Sequence, residues 1–357
     1  MPVFDYFQEL KKEGVFLANM VTYAPYTVAS VHALFSGMYG SRNGVDSYYG
    51  SLDFDKDNCF TITQYLKENG YYCKADVLSK IILPLQGFDE VLIHDEYADD
   101  LKTKHKELIN QVAHKNPFFL FLHYSKIHTG IISEVVSKFG DFDQLYFSRR
   151  EENRQRYDRF VKSAGEYLKG IMEYSKKQGL FENTLFVIFT DHGCSLGEKV
   201  GEKCYGVFTY DYTVVTFAYL IYPKLLPMAK VIPVSVRSID IAPTLLDILS
   251  IKKKNKYKDM QGETVLPLIK GKDSRDRDAY IETAGLSGPH PSPYKPNICA
   301  YRTSRLKLIY NSSLEKKELY DLEKDPTESV NLIGKCPGLE AELWEKMQQN
   351  KGRVFLG

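Results

Sequence analysis

An aspartate and a histidine, Asp191 and His192, follow an apolar run at residues 184–190. A carboxylate and an imidazole that leave a buried strand together can both point at one divalent cation, and Gly193 behind them lets the backbone turn. The alternative is structural, with Asp191 capping a turn and His192 satisfied as an ordinary polar residue. Alone, the pair favours that structural role, so a metal site needs support from other residues.

A second apolar run, Phe118–Leu122, leads into His123 and, shortly after it, His128. Either histidine could act as a general acid or bind a phosphate or sulfate group. Either could instead hydrogen-bond a carbonyl, an alternative that weighs more for His123 than for His128. Because ligands of parallel α/β sheets bind beyond the carboxyl ends of the strands, both runs are expected to deliver polar residues to such a place.

A hydroxyl nucleophile is available at Thr27, which is predicted to be the N-cap of a helix that ends near Gly37. The free N–H groups and the positive dipole end of a helix stabilise an alkoxide and any anion that it attacks. A capping threonine also stabilises a helix by ~1 kcal/mol without any catalytic role. The cationic side chains that could bind an anionic substrate, or could simply be solvated, are Arg42, Lys199 and Lys203.

The elements that must hold these residues alternate between strands and helices. Apolar runs predict strands at residues 15–18, 71–77, 118–122, 184–190 and 217–222, and helical spacing predicts helices at residues 2–14, 27–37, 61–69, 150–178 and 238–249. This alternation predicts an α/β fold with a mostly parallel central sheet flanked by helices. Short segments near residues 298–310 and a helix at 339–349 predict a small C-terminal antiparallel sheet with a closing helix. We expect a catalytic domain at 1–255 and an α+β subdomain at 256–357.

The composition argues against several classes of protein. The chain has 357 residues, 43% of them hydrophobic, which is enough for a large core. A net charge of +1 indicates no nucleic-acid partner, and no run approaches the ~20 apolar residues of a membrane span. The N-terminus lacks a secretory apolar core, and the six cysteines have no CxxC spacing. These features predict a cytoplasmic protein with reduced thiols and leave the oligomeric state open.

In their order along the chain, these segments resemble the sulfatase family of the alkaline-phosphatase superfamily. Residues 27–37, TVASVHALFSG, resemble the family's nucleophile segment, Cys/Ser/Thr-x-Pro-Ser-x-x-x-Leu-x-Thr-Gly. Residues 38–45, 118–128, 190–198, 240–246, 265–271 and 319–326 resemble, in turn, its GLYPHRHGV, PFFLFLxxxxPHxPY, TDHGxxLGEH, DIAPTLL, LLPLLxG and LYDLxxDP stretches. The resemblance covers nearly the whole chain and implies an alkaline-phosphatase-like fold.

The resemblance also implies a metal-dependent ester hydrolase or transferase with a role for each candidate residue. Thr27 would be the nucleophile and would contact one divalent cation, Mn²⁺, Zn²⁺ or Ca²⁺, held by Asp191 and His192. His128 would protonate the leaving oxygen or bind a non-bridging one. The residues that would bind the small anionic ester are Arg42, Lys199 and Lys203.

Two departures from the family pattern bear on the chemistry. Sulfate-ester hydrolases of the family oxidise a cysteine or serine to formylglycine, whereas Thr27 would give a ketone, and the arginine that holds formylglycine is Val31 here. We therefore expect the plain threonine alkoxide to attack phosphodiesters, phosphonates or sulfate esters, as in the relatives that transfer phosphoglycerol or phosphoethanolamine. The alternatives are a true sulfatase acting on sulfated carbohydrate and an inactive member that binds an anion.

A third departure concerns the start of the sequence. Members of the family begin with a strand that ends in one or two metal-binding aspartates, ahead of the helix that matches residues 2–14. The sequence begins at that helix, so the resemblance predicts either a fragment of a longer product or a loss of strong metal binding. We favour the fragment, because so many other family segments persist.

Overall fold

The structure is a computed structural model that describes residues 5–48, 53–284 and 295–351. Its helices are α1 (Asp5–Leu10), α2 (Thr27–Ser36), α3 (Gly40–Asn43), α4 (Ile62–Glu68), α5 (Leu101–Ala113), α6 (Lys126–Ile131), α7 (Gln144–Phe147), α8 (Arg150–Lys177), α9 (Asp211–Val214), α10 (Ile241–Ile248), α11 (Leu266–Ile269) and α12 (Pro337–Asn350). Its strands are β1 (Val15–Val21), β2 (Tyr72–Val77), β3 (Glu90–Ile93), β4 (Phe118–Leu122), β5 (Phe186–Phe189), β6 (Val215–Ile221), β7 (Lys230–Arg237), β8 (Ala279–Thr283), β9 (Ile298–Arg302), β10 (Leu306–Asn311) and β11 (Lys316–Asp321). In the helix predicted at residues 2–14, residues 2–4 lie outside the described part of the chain.

Two sheets carry the candidate residues beyond their carboxyl ends. The first has the strand order β3-β2-β4, and both of its pairs are parallel. The second has the order β5-β6-β1-β7, in which β1 and β7 are parallel. Strand β6 runs antiparallel to both of its neighbours. The predicted α/β fold with a mostly parallel sheet is therefore confirmed, with β6 as the antiparallel exception.

The third sheet lies towards the C-terminus and is antiparallel throughout, with the order β11-β10-β9-β8. Helix α12 packs on it through Leu343 and Met347, which join a buried cluster with Cys299 and Leu308. This confirms the predicted C-terminal antiparallel sheet with a closing helix. The boundary at residue 255 stays a prediction.

The main core lies between the parallel β3-β2-β4 sheet, the mixed β5-β6-β1-β7 sheet and the helices that cover them. Apolar residues at helical spacing on α2, including Val31, Leu34 and Phe35, pack with β1, β2 and β6 because that face of the helix has no polar side chain to solvate. The longest helix, α8, has 28 residues and is highly charged. Within the described ranges, no helix combines the length and the apolar character that a membrane crossing requires.

The apolar strands β4 and β5 are less covered than predicted. The sequence predicts burial on both faces of Phe118–Leu122, but all five residues are only partly buried, and so are the four residues of β5. The reason is the pairing. In the described part of the chain, β4 bonds only to β2 and β5 only to β6, so each strand has one edge without a neighbouring strand.

Helix α2 begins slightly differently from the prediction. Tyr26, not Thr27, occupies the N-cap position, and its side chain caps nothing. Thr27 is the first helical residue, so its hydroxyl is not used to cap the helix and can contact other elements. The predicted end at Gly37 is confirmed, because its φ of 67° is left-handed and suits a glycine.

Candidate functional site

Thr27, Asp191 and His192 meet where α2 begins and β5 ends. Thr27 Oγ1 lies 3.3 Å from Nε2 of His192, and the Thr27 hydroxyl is near enough to Asp191 to help lower the pKa of its carboxyl group. His192 Nε2 lies 3.6 Å from Oδ2 of Asp191, and 27% of the Asp191 side chain remains exposed. The structure thus brings the sequence-predicted nucleophile and the sequence-predicted metal-binding pair into one partly exposed site.

Two contacts fix the backbone around this site. The buried hydroxyl of Ser30, one turn into α2, donates to the carbonyl of Asp191 at 2.7 Å and so ties the helix to the end of β5. The N–H of Gly193 donates to the carbonyl of Thr213 at 2.7 Å. A β-carbon at Gly193 would lie 2.3 Å from the carbonyl oxygen of Tyr212, so only glycine allows this close approach.

The protonation of His192 follows from its backbone contact. Its Nδ1 lies 2.8 Å from the carbonyl oxygen of Gly193, which can only accept a hydrogen bond. In the neutral ring the proton therefore sits on Nδ1, and Nε2 presents a lone pair towards Thr27 and Asp191. Histidines that bind a metal or accept a proton at one ring nitrogen are commonly oriented by such a hydrogen bond at the other ring nitrogen.

Asp191 is held as an anion. Burial alone would raise its pKa, but His192 and the Thr27 hydroxyl lower the pKa below its ordinary value. His123 itself is neutral, because burial lowers its pKa to about 4. Its Nδ1 accepts a hydrogen bond from the backbone N–H of Leu78 at 3.4 Å, so the more structural of its two predicted roles is the one that the contacts support.

His128 enters the same site through Tyr205, a residue that the sequence analysis did not identify. The Tyr205 hydroxyl lies 2.6 Å from Nδ1 of His128, and its ring lies 4.5 Å from the ring of His192. Burial raises the pKa of Tyr205, so the phenol keeps its proton and donates it to Nδ1. Burial also lowers the pKa of His128, partly opposed by Glu96. Neutral His128 therefore carries its proton on Nε2. No spacing in the sequence marks Tyr205.

Two of the three predicted substrate-binding cations, Lys199 and Lys203, make other contacts. The Lys199 amine donates to the carbonyl of Glu328 and lies over the ring of Tyr210. The Lys203 amine donates to the carbonyl of Phe139 and lies 3.1 Å from Oδ1 of Asp141. Arg42 belongs to α3, and its side chain is partly exposed. These contacts do not include Thr27, Asp191, His192 or His128, and the substrate-binding roles stay predictions.

A second group of aspartate and histidine lies at the carboxyl ends of β2 and β3. Asp76, His94 and His105 bring one carboxylate oxygen and two ring nitrogens within 4.8 Å of one another, close enough to hold a metal ion. Asp76 Oδ2 lies 2.8 Å from His94 Nδ1 and 2.9 Å from His105 Nε2. The other ring nitrogens lie 2.8 Å from the Ser125 hydroxyl and 2.5 Å from the Tyr167 hydroxyl. We call these five residues the Asp76 network.

The distances in the Asp76 network are those of hydrogen bonds. Ligand atoms about 2.0–2.1 Å from a tetrahedral metal lie about 3.3 Å apart, whereas these atoms are in direct hydrogen-bond contact. Each histidine can donate one proton to Oδ2 of Asp76 and accept one from a hydroxyl, so no lone pair remains on either ring, and only the buried Oδ1 of Asp76 has no hydrogen-bond partner among the described residues. The Lys104 amine, 3.5 Å from Asp76 Oδ1, already compensates the carboxylate charge. No pattern in the sequence predicts this group, because its members are dispersed along the chain.

Two family profiles and several curated proteins match this chain. The profile described as "Sulfatase" matches residues 1–251, and the profile described as "N-sulphoglucosamine sulphohydrolase, C-terminal" matches residues 201–353. An N-acetylglucosamine-6-O-sulfatase from Bacteroides thetaiotaomicron is 26% identical over 182 residues, which are 49% of this chain and 31% of that protein. An ulvan-active sulfatase from Formosa agariphila is 24% identical over 382 residues, covering 90% of this chain and 69% of that protein.

Solved structures share the fold. The phosphonate monoester hydrolase of Agrobacterium radiobacter superposes with a TM-score of 0.76 at 14% identity, covering 97% of this chain and 90% of that one. A protein solved with its substrate D-glucosamine-2-N,6-O-disulfate gives a TM-score of 0.75 at 18% identity, with 97% and 92% covered. The chain spans only 31% of the length of the first curated relative. The family profile matches residues 1–251, which is more than half of this chain, and the chain therefore belongs to the sulfatase family.

Proposed function

We propose that this chain hydrolyses small anionic esters, namely sulfate esters and their phosphonate or phosphodiester analogues, with Thr27 as the nucleophile. The observation that carries the proposal is the position of Thr27 Oγ1, 3.3 Å from His192 Nε2 at the start of α2. Membership of the sulfatase family supports ester hydrolysis as the reaction class. The names of the curated relatives favour sulfate esters, and the phosphonate monoester hydrolase of the same fold favours the phosphorus analogues.

In the first step, Thr27 Oγ1 forms a bond to the sulfur or phosphorus atom, and the bond from that atom to the leaving oxygen breaks. The hydroxyl proton passes to Nε2 of His192, 3.3 Å away, while that nitrogen is free, and to the carboxylate of Asp191 when a cation occupies the nitrogen. The free N–H groups in the first turn of α2 and the helix dipole stabilise the charge on the substrate. Water then hydrolyses the ester on Thr27, or a second alcohol accepts the group.

His128 supports the departure of the leaving group. With Tyr205 donating to Nδ1, the Nε2–H of His128 lies 4.0 Å from Oε2 of Glu96, beyond a hydrogen bond, and can donate to the leaving oxygen or to a non-bridging oxygen. Such a donor is worth most when it is fixed before the charge develops. The hydrogen bond from Tyr205 to Nδ1 restrains the His128 ring in this way.

Members of the family typically bind a divalent metal, and the residues of this site fit such an ion in part. Asp191 and His192 offer an oxygen and a nitrogen 3.6 Å apart, with the His192 lone pair oriented by the bond to Gly193. When bound, the cation would lower the pKa of the Thr27 hydroxyl and screen the charge of the substrate. Mixed oxygen and nitrogen ligands suit Mn²⁺ or Zn²⁺ at least as well as Ca²⁺.

The test compares Thr27→Ala with Thr27→Ser on 4-nitrophenyl sulfate, a 4-nitrophenyl phosphonate monoester and a bis-4-nitrophenyl phosphodiester, with each metal supplied in turn. The alanine variant is expected to lose at least ~10³-fold in kcat/KM, and the serine variant to retain measurable turnover, because a nucleophile cannot be replaced by its neighbours. Acid quenching followed by mass spectrometry should locate the trapped group on Thr27. Equal rates for the alanine variant and the parent would remove Thr27 from the mechanism.

The same experiment separates the alternatives. Sulfate turnover far above that of both phosphorus substrates would identify a sulfatase in the strict sense. Added glycerol that captures the group in place of water would identify a transferase. Absence of turnover on all three substrates with every metal would contradict the proposal and favour the anion-binding alternative.

A further inference from the structure

We propose that the Asp76 network is a positioning device for His128, and that Ser125 is the residue through which it acts. The proposal rests on the proposed function, because it assigns His128 a place in that reaction. It adds residues that neither the family resemblance nor the site at Thr27 identifies. Three features of the network support this role: the strands that it joins, the way it is closed and the helix that it contacts.

The network first joins the carboxyl ends of the three strands of one sheet. Asp76 lies in β2, His94 directly follows β3 and Ser125 follows β4. The hydrogen bonds from Ser125 to His94 and from His94 to Asp76 are both 2.8 Å long, and all three side chains are at most 2% exposed. A buried chain of this kind holds its members more rigidly than exposed hydrogen bonds do, because no water competes for the partners.

The network is also closed at its far end. His105 of α5 donates to Asp76 at 2.9 Å and accepts from the hydroxyl of Tyr167 in α8 at 2.5 Å. With Asp76 accepting from both rings, the hydroxyl protons of Tyr167 and Ser125 are each committed to one nitrogen. Ser125 is therefore held by His94 and does not use its side chain to cap α6, although it occupies the capping position.

Ser125 is connected directly to the helix that carries His128. Its carbonyl accepts from the N–H of Thr129 at 3.0 Å and from the Thr129 hydroxyl at 3.1 Å. The Thr129 hydroxyl also reaches Glu96, shortly after His94, and the amine of Lys126 binds the carbonyl of Glu96 at 2.7 Å. Two hydrogen bonds, from Lys126 and from Thr129, therefore join α6, which follows β4, to Glu96, which follows β3. A shift of Ser125 must move the first turn of α6, and with it the ring of His128 against Tyr205.

The test uses Ser125→Ala and Tyr167→Phe, with matched controls that remove the same groups elsewhere. Ser175→Ala deletes another buried serine hydroxyl, bound to the carbonyl of Ile171 at 2.9 Å. Tyr219→Phe deletes another buried phenol hydroxyl, bound to the carbonyl of Phe7 at 2.8 Å. Ser125→Ala is expected to lower kcat ~10-fold with KM nearly unchanged, because misplacing a reacting group affects the transition state more than binding. Tyr167→Phe should act in the same direction but less, and the controls should leave kcat unchanged.

A double-mutant cycle with His128→Gln distinguishes positioning from general stability. If the network acts through His128, Ser125→Ala will have no further effect on kcat in the His128→Gln background. Additive losses would overturn the proposal, and so would an equal loss of kcat in Ser125→Ala and Ser175→Ala.

A second readout does not depend on turnover. In ¹⁵N-labelled protein, Ser125→Ala should shift the imidazole resonances of His128, and Ser175→Ala should not. Unchanged His128 resonances in Ser125→Ala overturn the proposal even if Thr27→Ala shows that the proposed function is wrong. Shifted resonances together with full activity of Thr27→Ala would leave the network as a positioning device and remove only the reaction assigned to Thr27.

Discussion

Two groups of aspartate and histidine lie beyond the carboxyl ends of strands in this protein, and they differ in how far their hydrogen-bonding capacity is used. In the Asp76 network, every ring nitrogen has a partner, and Asp76, His94 and His105 are at most 2% exposed. At the Thr27 site, 27% of the Asp191 side chain is exposed, and the lone pair of His192 faces a hydroxyl that reaction could deprotonate. Residue types suited to metals are the same in both groups. What distinguishes a reactive site is a lone pair that remains both unused and reachable.

Removing one carboxylate from each group gives the largest expected effects. Asp191→Ala should lower kcat/KM by about 10²–10³-fold, because it deletes a charge aimed at the reacting atoms. Asp76→Ala should lower the free energy of unfolding by about 3–5 kcal/mol, because two buried imidazoles and Lys104 lose their common partner. Turnover and urea unfolding are measured on both variants. Asp76→Asn, which keeps the shape, is the fallback if the alanine variant does not fold. If Asp191→Ala were destabilised and Asp76→Ala were as stable as the parent, the roles assigned to the two carboxylates would be wrong.

Acid pH is expected to lower the stability of the protein, because buried imidazoles stay neutral in the folded state but gain a proton in the unfolded state. Burial lowers the pKa of His105, and it lowers the pKa of His32 on α2 from 6.5 to about 4. A depressed pKa in the folded state stabilises the protein above the unfolded pKa and loses that contribution as pH falls, up to about 3 kcal/mol for His32.

The measurement is the difference in unfolding free energy between the parent and His32→Gln from about pH 7 to about pH 4.5. A difference is needed because Glu202 and Glu282, whose pKa values burial raises to about 7, act in the opposite direction. The advantage of the parent over the variant should shrink towards acid pH. A difference that is constant across this range would contradict the assignment of His32 as a buried neutral ring.

The sequence identified several elements with strong local patterns, although it missed the locally capped helix α5, and it also missed elements that depend on distant partners. The apolar run of β4 and the long periodic pattern of α8 were predicted almost to the residue. Strand β7 was missed because Pro233 and its charged ends, Lys230 and Arg237, give no continuous apolar run. Its pairing with β1 supplies what the local pattern lacks.

Some residues of the candidate site could be predicted from the sequence and others could not. Thr27, Asp191, His192 and His128 lie in segments whose types and order resemble a family, so the sequence could name them. Tyr205 joins them only because the loop after β5 returns its ring to His192, at 4.5 Å. The Asp76 network was invisible for the same reason, since parallel strands bring together residues that have no spacing in common.

Metal binding tests the two groups by affinity. A divalent ion should bind the parent, and His192→Ala should weaken that binding at least ~10-fold, since a metal-binding nitrogen is lost. His105→Gln should leave the affinity unchanged, because both ring nitrogens of His94 and of His105 are already used in hydrogen bonds. Equilibrium dialysis with Mn²⁺ and with Zn²⁺, followed by elemental analysis, gives both numbers. Loss of the ion in His105→Gln but not in His192→Ala would place the metal in the buried group.

The smallest effect is expected at Ser30, which tests how the reactive group keeps its geometry without a closed network. Its hydroxyl accepts from Thr22 and donates to the carbonyl of Asp191, each at 2.7 Å. Ser30→Ala should lower the free energy of unfolding by about 1 kcal/mol, the usual cost of a buried hydrogen bond. It should also lower kcat, because it frees the start of α2 from the end of β5. Ser36→Ala is the matched control, since that buried hydroxyl on α2 likewise donates to a carbonyl, that of His32 at 2.8 Å, and accepts from a side chain, Nδ2 of Asn43 at 3.1 Å. Equal stability losses with kcat reduced only in Ser30→Ala would show that this one bond sets the distance between nucleophile and acceptor, whereas equal kcat values would assign Ser30 to stability alone.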